Sequence, residues 1–91
     1  MGKYKLRLSD EAMKSYQNYK QKDKKTFERI LSLLKNMEET PFSGIGKPEP
    51  LKYDLSGFWS RRIDKKNRII YEVTNERRNQ YYLYYSNRKS L

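Results

Sequence analysis

The sequence predicts an α+β domain: two helices packed on one face of a mostly antiparallel sheet, in the order β-α-α-β-β-β-β. Three observations carry this. An alternation of apolar and basic residues opens the chain, and two capped segments of helical period follow. After a proline- and glycine-dense break beginning at Thr40, the remainder is a succession of strand-prone runs separated by polar turns. The length, 91 residues with 35% hydrophobic, suits one modest core and a single domain over residues 1–91.

Each element has its own signal. Tyr4, Leu6 and Leu8 alternate with Lys3, Lys5 and Arg7, the period of a half-buried strand. Ser9-Asp10 offers an N-cap with Glu11 in the first turn, and Ala12, Met13, Tyr16 and Tyr19 form one helical face. Asp23 is a second N-cap. Behind it Phe27, Ile30, Leu31, Leu34 and Met37 make the apolar stripe of a core-facing helix. All three prolines (Pro41, Pro48 and Pro50), with Gly44 and Gly46, then shape a loop of the kind where function often sits. Leu51 to Leu55 reads as a short strand, Ser56-Gly57 as a turn and Phe58 to Ile63 as a strand. Residues 64–67 make a polar turn, Arg68 to Val73 the next strand, 75–79 a charged connection and Tyr81 to Tyr85 a last, aromatic strand.

Composition bounds the chemistry. There is no cysteine, which excludes disulfides, a thiol nucleophile and zinc sites built on cysteine. There is no histidine, the commonest metal ligand and the side chain that titrates near neutrality. No metal and no cofactor are expected. No apolar run is long enough to span a membrane, and none follows the basic N-terminus as a secretory signal would. A soluble, cytoplasmic chain without membrane partners is the expectation. The net charge is +10, with +4 over residues 1–46 and +6 over residues 47–91. A basic balance in both halves suits a polyanion, nucleic acid first and an acidic protein second.

Cutting RNA without metal or histidine requires a base for the ribose 2′-hydroxyl, cations for the phosphorane-like transition state and an acid for the leaving 5′-oxygen. Glu49 lies between two prolines that restrict its backbone, so its carboxylate is aimed. Lys47, Lys52, Arg61, Arg62 and Arg68 surround it in sequence, and guanidinium groups on neighbouring strands can converge on one phosphate. Each has a blander reading. A lone loop glutamate is more often solvated, and lysines in a turn, as Lys65 and Lys66, often only face water. Arg61 and Arg62 are adjacent, so within a strand they face opposite sides and at most one faces a given groove. Trp59 can stack a base, but a single tryptophan in a small domain more often packs in the core.

Residues 40–71 read TPFSGIGKPEPLKYDLSGFWSRRIDKKNRIIY. The blocks GKPEPLK (Gly46 to Lys52), LSG-WSRRI (Leu55 to Ile63) and R-(hydrophobic)₂-Y (Arg68 to Tyr71) resemble, in order and spacing, the YoeB/Txe toxins of bacterial toxin–antitoxin systems, within the RelE superfamily. The resemblance implies a RelE-like, microbial ribonuclease-like fold and a ribosome-dependent mRNA endonuclease. Such a toxin enters the ribosomal A site, where the 2′-hydroxyl attacks the adjacent phosphate to leave a 2′,3′-cyclic phosphate and a 5′-hydroxyl. It implies Glu49 as general base and Arg68 as transition-state stabiliser, with the basic residues matching Lys52, Arg61 and Arg62 supporting RNA binding or the charge of the site; Lys47 and Lys66 join the RNA-binding candidates as basic side chains close to them in sequence. The implied partners are the ribosome and mRNA, an acidic antitoxin of the YefM/Axe type, operator DNA only through the antitoxin complex, and a second copy in a homodimer.

The chain also departs from that family, whose members typically end in a His-Tyr pair, the histidine being the favoured general acid. A gapped alignment sets Arg88 and Lys89 at that pair, an ungapped one Ser86 and Asn87. Asn67 stands where a histidine is usual, and Lys66 where an acidic residue is common. Arginine holds its proton too tightly to donate it, with a pKa above about 12. Three readings follow: an acid at Tyr84 or Tyr85 under a field of cations, charge stabilisation by Arg68 and Arg88 with water as donor, or an impaired site that leaves a ribosome- or antitoxin-binding module. The residues nearest the acid's place are thus Tyr85 and Arg88.

Overall fold

A computed structural model describes residues 4–73 and 80–86, the last as a backbone strand. Strand β1 (Lys5–Leu8) leads into helix α1 (Asp10–Lys22) and helix α2 (Lys24–Glu39). Strands β2 (Glu49–Pro50), β3 (Phe58–Arg62), β4 (Arg68–Val73) and β5 (Gln80–Ser86) follow. They form one five-stranded sheet in the order β1-β5-β4-β3-β2. β1 runs parallel to β5, and the other pairs are antiparallel. The expected α+β class and element order hold.

The helices start where side-chain oxygens can satisfy free amides. The Ser9 hydroxyl accepts from the Ala12 amide at 3.1 Å, and the Asp23 carboxylate accepts from the Thr26 amide at 3.1 Å and the Thr26 hydroxyl at 2.8 Å. Ile30, Leu33, Leu34 and Met37 of α2 and Ala12 of α1 bury against Ile63, Ile69 and Tyr71. Leu33, outside the expected stripe, is in this core. Leu31, inside the stripe, is exposed. The buried residues of α2 keep the spacing i, i+3, i+4 and i+7, so the core-facing stripe is turned toward Leu33, which the loop meets at Gly46, and away from Leu31. Trp59 packs against the core and lies 5.0 Å, centroid to centroid, from the Phe42 ring.

Residues 51–55 correct an expectation. The strand pairing is confined to Glu49–Pro50, and Tyr53–Leu55 is a single 3-10 turn. The Leu51 amide still reaches the Phe58 carbonyl at 2.8 Å, but Tyr53 takes a left-handed φ of 59° and the chain reverses there. Alternating Leu51, Tyr53 and Leu55 imitates a strand, whereas the short link to β3 demands a turn. Among the described residues no helix is long and apolar enough to cross a membrane.

Alternation along β3 and β4 gives the sheet two unlike faces. Trp59, Ile69, Tyr71 and Val73 belong to the helix-covered core. Ser60, Arg62, Arg68, Ile70 and Glu72 alternate with them and belong to the opposite face, where Glu49 is in register with Ser60.

Candidate active site

Glu49 and Arg68 meet on the helix-free face. Glu49 opens β2 and pairs with Ser60 of β3, while Arg68 opens β4 and pairs with Arg62. The Glu49 Oε1 to Arg68 Nη1 distance is 3.7 Å, and Arg68 Nη1 donates to Ser60 Oγ at 3.3 Å. The carboxylate side chain is 63% exposed and the guanidinium side chain 27%. A carboxylate open to solvent beside a half-sheltered cation held by a buried hydroxyl can accept a proton and leave the cation available to an anion.

The cations around them are uneven. Arg62 is exposed and directly opposite Arg68 in the ladder. Like charges so placed repel, and an anion between them relieves the repulsion. Lys47 and Lys52 are exposed on either side of β2. Lys47 takes a left-handed φ of 52°, strained for a residue with a side chain, immediately before the Pro48-Glu49-Pro50 run. Lys66 is exposed in the 64–67 turn, where its amide donates to Asp64 Oδ1 at 2.9 Å. Burial alone would push the Asp64 carboxyl up. Hydrogen bonds from the Asn67 side chain and from the Lys66 and Asn67 amides, with the Lys66 charge, hold it below its ordinary value instead.

Arg61 corrects an expectation. Among the RNA-facing candidates it alone is fully buried, at 0% exposure. Its five N–H groups all find oxygens: Nε donates to Tyr71 Oη at 3.1 Å, Nη1 to Asn36 Oδ1 and to the Ile45 carbonyl at 3.1 Å, and Nη2 to the Thr40 carbonyl and to the Ser43 carbonyl at 2.9 Å. Strand alternation sends Arg62 to the site face and Arg61 to the helix face, where the 40–48 loop closes over it. It is not available to RNA.

For the acid, the register separates the candidates. Tyr84 pairs with Ile70 and so stands in the row that contains Ser60 and Glu49. Tyr85 pairs with Ile69, which pairs with Arg61. Ser86 is opposite Arg68. Arg88 and Lys89 lie outside the described residues. Sequence reasoning missed Ser60, whose hydroxyl orients Arg68, together with Asn36 and Tyr71. The signs of Ser60 in the sequence are a small polar residue inside an otherwise bulky strand and its place in the Leu55 to Ile63 block.

The profile of a YoeB-like toxin of bacterial type II toxin-antitoxin systems matches residues 8–86. The chain belongs to the YoeB family. The toxin YoeB of Escherichia coli (strain K12) is 47% identical over 72 residues, covering 79% of this chain and 86% of that one. Among solved structures, a YoeB/ParE toxin from Agrobacterium tumefaciens superposes with a TM-score of 0.85 at 34% identity, covering 96% of this chain and 99% of that one. YoeB of Staphylococcus aureus has been solved as a heterotetrameric complex with the YefM antitoxin (TM-score 0.80, 34% identity, 97% and 98% coverage). It has also been solved as a dimer (TM-score 0.81, 33% identity, 98% and 99% coverage). As a YoeB-family member, the chain is the toxin of a type II toxin–antitoxin system. Its Glu49, Ser60, Arg62 and Arg68 all lie within the matched span.

Proposed function

We propose that this toxin is a metal-independent, ribosome-dependent mRNA endoribonuclease acting in the A site. The observation that supports it best is the Glu49–Arg68 pair, a solvent-open carboxylate 3.7 Å from a guanidinium on a basic sheet face. Glu49 takes the proton of the ribose 2′-hydroxyl as that oxygen attacks the adjacent phosphorus. Arg68 stabilises the negative charge that builds on the phosphoryl oxygens, and Ser60 keeps its Nη1 aimed. The phosphorus–5′-oxygen bond then breaks, leaving a 2′,3′-cyclic phosphate and a protonated 5′-hydroxyl. For that last proton, Tyr84 is the register position to test first, ahead of Tyr85. Arg62, Lys47, Lys52 and Lys66 contact message or ribosomal phosphates, and Arg61 leaves that set.

The partners follow from charge. A +10 chain suits ribosomal RNA and an acidic antitoxin segment of the YefM type that folds as it binds. Operator DNA is reached through that complex, and the free toxin forms a homodimer. Work on ribosomes places it in the bacterial cytoplasm.

Primer extension on a translated message tests this reading. Wild-type toxin leaves a cut at defined positions in the A-site codon. Glu49→Gln and Arg68→Ala each lower the single-turnover rate by about 100-fold or more, the cost of losing one group that acts on transition-state charge. The absence of histidine favours a second reading, a binding module with an impaired site. Saturating ribosome binding by the wild type with no cut at any codon selects that module and overturns the endonuclease.

A further inference from the structure

Arg61 is a buried cation whose partners, among the described residues, are all uncharged oxygens. Burying a guanidinium without a carboxylate is costly, and hydrogen bonds to every N–H are what make it tolerable. What the arrangement organises is therefore informative. Three of the five oxygens are main-chain carbonyls of the 40–48 loop, from Thr40, Ser43 and Ile45. A fourth belongs to Asn36 of α2, whose Oδ1 also accepts from the Ile45 amide at 3.1 Å. The fifth is the Tyr71 hydroxyl, which in turn donates to the Pro41 carbonyl at 2.7 Å. The next loop carbonyl, that of Gly46, accepts from the Arg62 amide at 2.7 Å. Only Lys47 and Pro48 then separate this anchored stretch from Glu49. The loop is thus wound around one guanidinium up to three residues before the carboxylate.

The same stretch of β3 serves the other half of the site. Ser60, on the opposite face, accepts from Arg68. Two consecutive residues of β3 thus act on opposite faces of the sheet, Arg61 binding the loop that leads to Glu49 and Ser60 binding Arg68. We propose that Arg61 is a positioning residue for Glu49: by gathering the carbonyls of the 40–48 loop, it fixes where that carboxylate enters the site. This rests on the endonuclease reading for its kinetic consequence and on geometry alone for its structural one.

The variants are Arg61→Lys, which keeps the charge with three donors in place of five, and Arg61→Met, which keeps length without donors. Tyr71→Phe, which removes one oxygen and the link to Pro41, provides a milder third. All are compared at a temperature where circular dichroism shows the variant folded. An error of about 1 Å in a reacting group costs on the order of 100-fold in rate. Arg61→Lys is expected to lower kcat 10- to 100-fold with KM within about twofold. In a Glu49→Gln background, the same substitution is expected to cost less than threefold, because the group it positions is gone. If the losses multiply in full, Arg61 acts on stability or binding alone and the proposal is overturned.

A second readout needs no activity. The ¹³C resonance of the Glu49 side-chain carboxyl is expected to move in folded Arg61→Lys and Tyr71→Phe proteins. If it is unmoved, the proposal fails whatever the kinetics. If it moves while the wild-type toxin cuts no message, the endonuclease reading fails and the positioning of Glu49 stands. Should Arg61→Met not fold, the other two variants carry both arms.

Discussion

Arg61 and Arg62 are the same residue one position apart, and they do unlike things. Alternation in a strand says that they must part company, and that much was legible in the sequence. Which one turns inward was not, because a buried arginine announces itself only through oxygens that fold against it from residues 36, 40, 43, 45 and 71. Glu49 and Arg68 were legible because a proline-framed glutamate and the motif around it are local patterns; Ser60 was not, because its role exists only across strands. Tyr71 links this cluster to pH. Burial raises its phenol above the ordinary tyrosine value, against the opposing pull of the Arg61 hydrogen bond and charge. A phenol harder to ionise in the fold than in the unfolded chain contributes stability that is whole below the unfolded value of about 10. That stability is lost as pH rises through the folded value. Tyr19 adds in the same direction, through burial first and then the charges of Asp64 and Asp23. Thermal unfolding from pH 8 to 11 is expected to show a falling Tm above about pH 10. Tyr71→Phe is expected to start from a lower Tm at pH 8 and fall less steeply. An equal slope in the two proteins refutes the assignment to Tyr71.

At the scale of elements, caps and periodicity identified both helices, since Ser9 and Asp23 satisfy amides three residues ahead. β3 and β4 were found within a residue, because a hairpin with a polar turn is a local signal. The failure at residues 51–55 and the internal order of the 40–48 loop share a cause: neither is set by period. Both depend on main-chain conformations and on what the loop closes over. Gly46 makes the point quantitatively. Its φ is +83°, in the left-handed region, and a Cβ built there lies 2.6 Å from Leu33 Cδ2 and 3.2 Å from Arg61 Cβ. The loop can approach α2 and Arg61 this closely only where there is no side chain. Gly46→Ala is expected to destabilise the fold by about 1–3 kcal/mol, from backbone strain together with overpacking. It is also expected to lower kcat, because the loop that shifts is the one leading to Glu49. Urea unfolding gives the first figure. An unchanged midpoint would show that Leu33 and the loop yield without cost.

For the molecule as a whole, the charge of +10 acts in two directions at once, and salt separates them. Twenty-one basic side chains on a 91-residue chain repel one another, which opposes compaction. The Arg62–Arg68 pair across β3 and β4 is a local instance of this. Partners of opposite charge relieve that repulsion, so under the proposed function the excess that weakens the isolated toxin would strengthen its hold on RNA or on an acidic antitoxin segment. The Debye length falls from about 14 Å at 50 mM salt to roughly 4 Å at 500 mM, scaling from about 10 Å at 0.1 M. Repulsion between exposed cations is then screened, and binding that releases counterions is weakened at the same time. Over that range the Tm of the free toxin is expected to rise by a few degrees. Its affinity for ribosomes is expected to fall by 100-fold or more if several phosphates are contacted. Arg62→Gln, which removes one cation from the site face, is expected to raise the low-salt Tm slightly and to reduce the salt slope of binding by about one. The two trends must be opposite in sign if a single surplus of charge underlies both. A Tm that falls with salt would mean that favourable ion pairs outweigh the repulsion, and an affinity indifferent to salt would mean that the basic face is not what meets the ribosome.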